Sequence, residues 1–284
     1  GAHWVDDKQP GKYEILEEIG SGGMGVVYRA RHVTLNRVAA VKAIRERYAA
    51  SDRHLERFKR EAAVCSKLSH PNVIKLFDYG EENGVCFYAM EYIDAETLKE
   101  KLTKRSPQSA KFILHVARHL ARALSYIHKE NVLHRDIKPA NIMVGEDQHI
   151  TLMDFGLVKA FELDGLTQAG KAIGTPRYMS PEMLKAEDTD GRSDIFQMGI
   201  VLYEMATGKP PFKGKDVYSI AAKLLSKKPK SPSRLNPRLG IWLDTLIMNC
   251  LEKDKEVRYQ SADEVLADID KCEKRLPIKR LGDE

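Results

Sequence analysis

Two patterns of apolar positions divide the chain. From Tyr13 to Ile93 the apolar residues come in short, β-branched runs: "YEILEEIG", "GVVYRARH", "VAAVKAI", "VIKLFDYG" and "VCFYAMEYI". These predict five strands. One helix interrupts them, "SDRHLERFKREAAVCSKL", residues 51–68, with Ser51 or Asp52 as its cap. After Ala95 the period changes. "SAKFILHVARHLARALSYIHKE" predicts a long amphipathic helix, and "SADEVLADIDKCEKR" another that closes the chain. "SDIFQMGIVLYEMATG", residues 193–208, is apolar on nearly all sides, so it belongs at the centre of a helical lobe. A strand-rich front and a helix-rich back predict an α+β protein of two lobes, with "EYIDAETL" as the hinge.

Composition changes this picture little. The 284 residues are long for one core and comfortable for two lobes. With 43% hydrophobic and 31% charged residues the chain reads as soluble and globular. A net charge of +5 permits acidic ligands without arguing for a nucleic-acid surface. Cys65, Cys86, Cys250 and Cys272 form no C-x-x-C pair, which disfavours a zinc site or disulfide framework and fits a reducing compartment. No repeat, low-complexity tract or signal-peptide core is present. The most apolar stretch, "MGIVLYEMA", is too short to span a bilayer and contains Glu204.

Four clusters carry chemistry. "GSGGMGVVY" places Gly20, Gly22 and Gly25 ahead of Val27. Glycines let a backbone approach a phosphate closely, and a strand rather than a helix follows, so they sit in a hairpin that can lie over a ligand. A purely structural hairpin explains them about as well. Lys42 lies at the end of "VAAVK", with Ala40 on the same strand face. A small residue there leaves space for a flat ring, and the Lys can meet phosphates. Glu61 falls on the apolar arc of its helix, where a carboxylate needs a partner, and Lys42 is the candidate. A Glu at the edge of the stripe is the competing reading. "LMDFG" puts Asp154 after an apolar strand, able to hold a hard cation, with Asn141 thirteen residues earlier as a second oxygen ligand. Alone, an ordinary turn Asp would serve as well. The densest segment is "HRDIKPAN", with His134, Arg135, Asp136, Lys138 and Asn141 in eight positions.

Together these elements resemble the eukaryotic-type (Hanks-type) protein kinase family. The match runs from about Tyr13 to Arg275 and includes Gly20-x-Gly22-x-x-Gly25-x-Val27, Lys42, Glu61, "HRDIKPAN", "DFG" and "SPE", in the family's order. Lys138 and Thr175 resemble the Ser/Thr class, and "GGMG" with "HRDIKPANIMV" looks like the bacterial receptor-type Ser/Thr kinases. The resemblance implies a two-lobed kinase fold: an N-lobe of five antiparallel strands and one helix, and a mainly helical C-lobe. Residues 13–275 would form the kinase domain, with 13–90 the N-lobe, 91–95 the hinge and 96–275 the C-lobe. Residues 1–12 would be an N-terminal extension or cloning remnant, and 276–284 a basic tail.

It also implies roles. Asp136 would accept or orient the substrate hydroxyl proton, and Lys138 would neutralise the transferring γ-phosphate. Asn141 and Asp154 would hold Mg²⁺, with Mn²⁺ as an alternative, and Lys42, held by Glu61, would grip the α- and β-phosphates of ATP. The glycine-rich turn would comprise Ile19, Gly20, Ser21, Gly22, Gly23, Met24, Gly25, Val26 and Val27. Adenine would lie between Ile19, Val27 and Ala40 above and Met143 below, against the backbone of Glu91 and Ile93, with Met90 as gatekeeper. Arg135 would receive a phosphate on Thr167, while Thr175 would tie the activation loop to Asp136 and Lys138. Departures are mild: Ser180 replaces the usual Ala of "APE", Ala39 replaces a larger residue, and Ala95 leaves the ribose contact open.

The expected function is an ATP-dependent protein serine/threonine kinase in signalling, activated by activation-loop autophosphorylation. Expected partners are protein substrates, ATP and a second copy for trans-autophosphorylation, with no nucleic acid. The domain is expected to be cytoplasmic, with any membrane anchor in segments outside this chain. A pseudokinase scaffold is the competing class, opposed by the full set Lys42, Glu61, Asp136, Asn141 and Asp154. A small-molecule phosphotransferase is a third reading, opposed by the activation-loop-like segment 156–182.

Overall fold

A computed structural model describes residues 12–21, 25–44, 52–82, 85–155 and 176–283, leaving aside the side chains of Asp52 and His54. The chain is α+β and divides into two units, one running to Asp94 and the other starting at Ala95.

The first unit is a five-stranded antiparallel sheet with one helix. Its elements are β1 (Tyr13–Ser21), β2 (Gly25–His32), β3 (Arg37–Ile44), α1 (Asp52–Ser66), β4 (Leu76–Glu82) and β5 (Val85–Glu91). The sheet order is β1-β2-β3-β5-β4. Register decides what each face carries, because directly paired residues share a face. Val26, Ala43 and Phe87 lie in one row, and Tyr28, Val41 and Ala89 in the next. These six belong to one hydrophobic cluster. The opposite face carries Val27, Lys42 and Tyr88, then Ala40 and Met90. Phe58 of α1 meets Tyr88 with ring centroids 6.3 Å apart, so α1 packs on this second face.

The fourth strand differs from its sequence expectation of residues 73–80. Val73 N–H instead donates to His70 O, and Asn72 N–H donates to His70 Nδ1, so "HPN" forms a turn. Val73 and Ile74 are buried in that turn, and pairing with β5 begins at Leu76. Local side-chain-to-backbone bonding here outcompetes the β-propensity of Val and Ile.

The second unit contains β6 (Glu96–Thr97), α2 (Leu98–Lys104), α3 (Ala110–Lys129), β7 (Ile142–Val144), β8 (Ile150–Leu152), α4 (Pro181–Leu184), α5 (Gly191–Thr207), α6 (Val217–Ser226), α7 (Pro232–Leu235), α8 (Ile241–Cys250) and α9 (Ala262–Glu273). Ser109 caps α3 by accepting from Phe112 N–H at 3.2 Å, and nine side chains of α3 are buried. Asp190 caps α5, and Gly208 ends it at φ +80°, a left-handed conformation that glycine adopts without a Cβ penalty. Helix α5 is buried along nearly its whole length, packed by α3 and α8, as its all-round apolar pattern requires. The small antiparallel sheet β6-β7-β8 lies beside α2 and α3.

Candidate active site

The segment "HRDIKPAN" is held from beneath by α5. Asp194 is buried, and its Oδ2 accepts from His134 N–H at 2.9 Å while Oδ1 accepts from Arg135 N–H at 2.8 Å. His128 Nε2 lies 2.8 Å from the same carboxylate. Burial alone would raise the Asp194 carboxyl, but the bonds from His128 and the His134 backbone hold it below the usual aspartate range. Gln197, one turn further on, accepts from Ile137 N–H at 3.2 Å and donates to Arg135 O and Tyr178 O. Arg135 is thereby kept at φ +71°, a conformation that non-glycine residues adopt only where surrounding structure enforces it.

Inside the loop, Asp136 N–H donates to His134 Nδ1 at 3.1 Å. Nδ1 is therefore the unprotonated nitrogen, and Nε2–H donates to Met153 O at 2.6 Å. Asn141 Nδ2 donates to Asp136 O at 2.8 Å and to Asp136 Oδ2 at 3.0 Å, fixing the plane of the carboxylate. Lys138 Nζ lies 3.8 Å from Asp136 Oδ1.

The same loop is tied to Asp154. Met153 N–H donates to Asn141 O at 2.8 Å, and Ile142 pairs with Leu152. Asp154 has φ +42°, and its Oδ1 is buried without a hydrogen-bond partner among the described residues. A buried carboxylate oxygen left unpaired is costly, and a bound cation relieves that cost. With its NH₂ committed to Asp136, Asn141 has its carbonyl oxygen left as a ligand. One carboxylate and one amide oxygen fit Mg²⁺, which takes few protein ligands and completes its shell with water and phosphate oxygens. Among the described residues no group of three His, Cys, Asp or Glu forms a protein-only metal cage.

In the first unit, Lys42 is half-buried on the face where α1 packs, the helix that carries Glu61. Glu61 keeps 25% of its side chain exposed, beside the buried Phe58, Ala62 and Cys65, and lies 3.6 Å from Arg57. Val27, Ala40 and Met90 share the Lys42 face. Ile19 is 44% exposed at a register shift in β1, and Gly20 and Ser21 pair with Val27 and Val26. Glu91 N–H donates to Lys75 O at 2.9 Å. Ile93 is half-buried, three residues after Met90. Met143, on β7 of the second unit, pairs with Thr97 and Thr151. Gly22, Gly23, Met24, Thr167 and Thr175 lie outside the described residues.

Sequence reasoning missed Asp194 and the pair Glu182–Arg258. Arg258 is 1% exposed and donates through Nη1 to Glu182 Oε1 at 2.6 Å and through Nη2 to Oε2 at 3.1 Å. Ser193 and Ser180 extend this network by hydroxyl bonds, so the Ser of "SPE" has a packing role. A signal for Asp194 was present: a carboxylate inside a helix apolar on all sides needs partners, the argument applied to Glu61.

Fold and site together define a phosphotransfer domain, and the chain belongs to the protein kinase family: residues 13–268 match the protein kinase domain. It is 37% identical over 259 residues to the serine/threonine-protein kinase PrkC of Bacillus subtilis, covering 91% of this chain and 40% of PrkC. It is also 37% identical over 264 residues to PknB of Mycobacterium tuberculosis, covering 91% of this chain and 42% of PknB. A probable serine/threonine-protein kinase of Clostridium acetobutylicum is 39% identical, with 39% of its length covered. The chain thus spans well under half the length of these relatives. Among solved structures, the PknI kinase domain of Mycobacterium tuberculosis superposes with a TM-score of 0.75 at 27% identity, covering 92% of this chain and 96% of that one.

Proposed function

We propose that this chain is the catalytic domain of a signalling protein kinase that transfers the γ-phosphate of Mg-ATP to Ser or Thr hydroxyls of proteins. The observation that carries the reading is the convergence of Asp136, Lys138, Asn141 and the unpartnered Asp154 Oδ1 on two loops joined by one backbone bond. Asp136, its plane set by Asn141, takes the acceptor's proton as that oxygen bonds to the γ-phosphorus and the bond to the β-phosphate oxygen breaks, leaving ADP. Lys138 neutralises the moving phosphoryl group, whose charge spreads over its oxygens. Asn141 and Asp154 hold the cation, which when bound neutralises phosphate oxygens. Lys42, paired with Glu61, grips the α- and β-phosphates. Within the first unit, Gly20 and Val27 would approach the phosphates, and Ile19, Val27, Ala40 and Met90 would face adenine beside the Glu91–Ile93 backbone.

The domain reading is 13–90, 91–95 and 96–275 as N-lobe, hinge and C-lobe. Regulation rests on Arg135 receiving a phosphate on Thr167, which adds about −2 charge and three acceptors. Autophosphorylation there, in trans between two copies, is the activating step, and Thr175 holds the loop to Asp136 and Lys138. Among the described residues no helix is long and apolar enough to cross a membrane. The test is incubation with Mg-ATP and a basic protein substrate, read by intact mass and phosphosite mapping. Phosphate should appear on substrate Ser/Thr and on Thr167, and neither should appear with Asp136→Asn. ATP binding without transfer by the intact protein would instead make it a scaffold.

A further inference from the structure

The long helix α3 carries two histidines one turn apart, His115 and His119, in "HVARH". Side chains at this spacing share a helix face, and paired helical histidines of the same spacing bind zinc. Here the two rings do meet: their centroids lie 4.3 Å apart, with 47° between the planes. Both residues are half-buried, so one side of the pair stays open to solvent.

Each ring has one nitrogen committed to a backbone carbonyl. His115 Nε2–H donates to Gln148 O at 2.7 Å, and His119 Nδ1–H donates to His115 O at 2.7 Å. A carbonyl only accepts, so these bonds set the tautomers. In the neutral rings His115 Nδ1 and His119 Nε2 carry the lone pairs. A metal-ligating histidine is held in the same way, its other N–H given to a carbonyl that fixes the ring. The Gln148 carbonyl is itself positioned, because Gly145 N–H donates to His149 O at 2.9 Å and His149 N–H to Glu146 O at 3.1 Å, closing the β7–β8 turn. Burial lowers the His119 pKa below the usual histidine range. The bond to His115 O opposes this, and the charges of His115, Arg122 and His149 add to it. His119 is therefore neutral at pH 7 and able to ligate.

We propose that His115 Nδ1 and His119 Nε2 form a two-histidine site for a divalent transition ion, with Zn²⁺ as the ion and water completing its shell. Imidazole nitrogen selects such ions over Mg²⁺ and Ca²⁺, which take oxygen ligands. The residue after His115 is Val116, fully buried, where zinc proteases carry a glutamate base. The ion thus has no base beside it and acts as a clamp on one turn of α3, next to the β7–β8 turn. The site is independent of the kinase reading.

The test is titration of the purified protein with Zn²⁺ in excess Mg²⁺, which fills oxygen sites such as Asn141 and Asp154. Calorimetry should show saturable binding, and Zn²⁺ should raise Tm. His115→Gln and His119→Gln should each weaken binding more than about tenfold, the loss that changes to outer-shell partners alone produce. A second readout needs no variant. In wild-type protein carrying ¹⁵N-histidine, Zn²⁺ should shift one unprotonated Nδ1 and one unprotonated Nε2 resonance, because the two rings ligate through different nitrogens. Absence of saturable binding, affinity equal in wild type and both variants, or histidine resonances unmoved by Zn²⁺ overturns the site.

Discussion

The carboxylate of Asp194 accepts the His134 and Arg135 N–H groups from inside α5, and His128 closes a third bond. An amide at this position has one accepting oxygen instead of two. Asp194→Asn therefore leaves a backbone donor buried without a partner, a loss of about 2–3 kcal/mol. Phosphotransfer should drop strongly, because Arg135 is no longer held in its left-handed conformation and Asp136 follows it. Urea titrations of both proteins across pH check the cause. The folded-state pKa of Asp194 lies below its unfolded value, so its contribution is fully present above the ordinary aspartate range and is lost as pH falls through the folded value. The stability gap between wild type and Asp194→Asn should close as pH falls through the folded-state value of Asp194, below the ordinary aspartate range.

The β1–β2 hairpin separates two kinds of glycine. A Cβ on Gly25 would collide with the backbone oxygen of Ala43, so strands β2 and β3 could not keep their pairing. On Gly20 a Cβ would meet no described atom within 4 Å. Packing thus accounts for Gly25, while among the described residues it does not account for Gly20. Gly25→Ala should destabilise by about 1–3 kcal/mol, the cost of overpacking. Gly20→Ala should melt within about 0.5 kcal/mol of wild type while its KM for ATP rises. Melting curves and KM for ATP decide it, and an unchanged KM in Gly20→Ala would mean that this glycine does not approach phosphate. From sequence alone both glycines had the same two explanations, because the choice depends on what lies opposite across the sheet.

For the whole molecule, a ligand that binds only the folded state adds stability in proportion to its occupancy, about 2.7 kcal/mol at a hundredfold excess over Kd. A non-hydrolysable ATP analogue with Mg²⁺ should therefore raise Tm more than the analogue alone. If Asp154 holds the cation as proposed, the Mg²⁺ increment should vanish in Asp154→Asn while the increment from analogue alone remains, its Oδ1 being without a hydrogen-bond partner among the described residues. A full Mg²⁺ increment in that variant removes Asp154 from the metal site.

Much of this was legible in the chain itself. Strands and helices declared themselves because their periods follow from backbone geometry and burial, which act over a few residues. "HRDIKPAN" was legible for a similar reason: the residues proposed as base, phosphate clamp and metal ligand lie within eight positions of one loop, so their spacing can be read directly from the sequence. What holds that loop was not. Asp194 lies 60 residues from His134, and Arg258 lies 76 from Glu182. The carbonyl that fixes the His115 ring belongs to Gln148, 33 residues on. A charged residue in an apolar helix announces that it needs a partner, because burying it alone is too costly. Which residue answers, and whether a site is left open between them, depends on distances that only the folded chain creates.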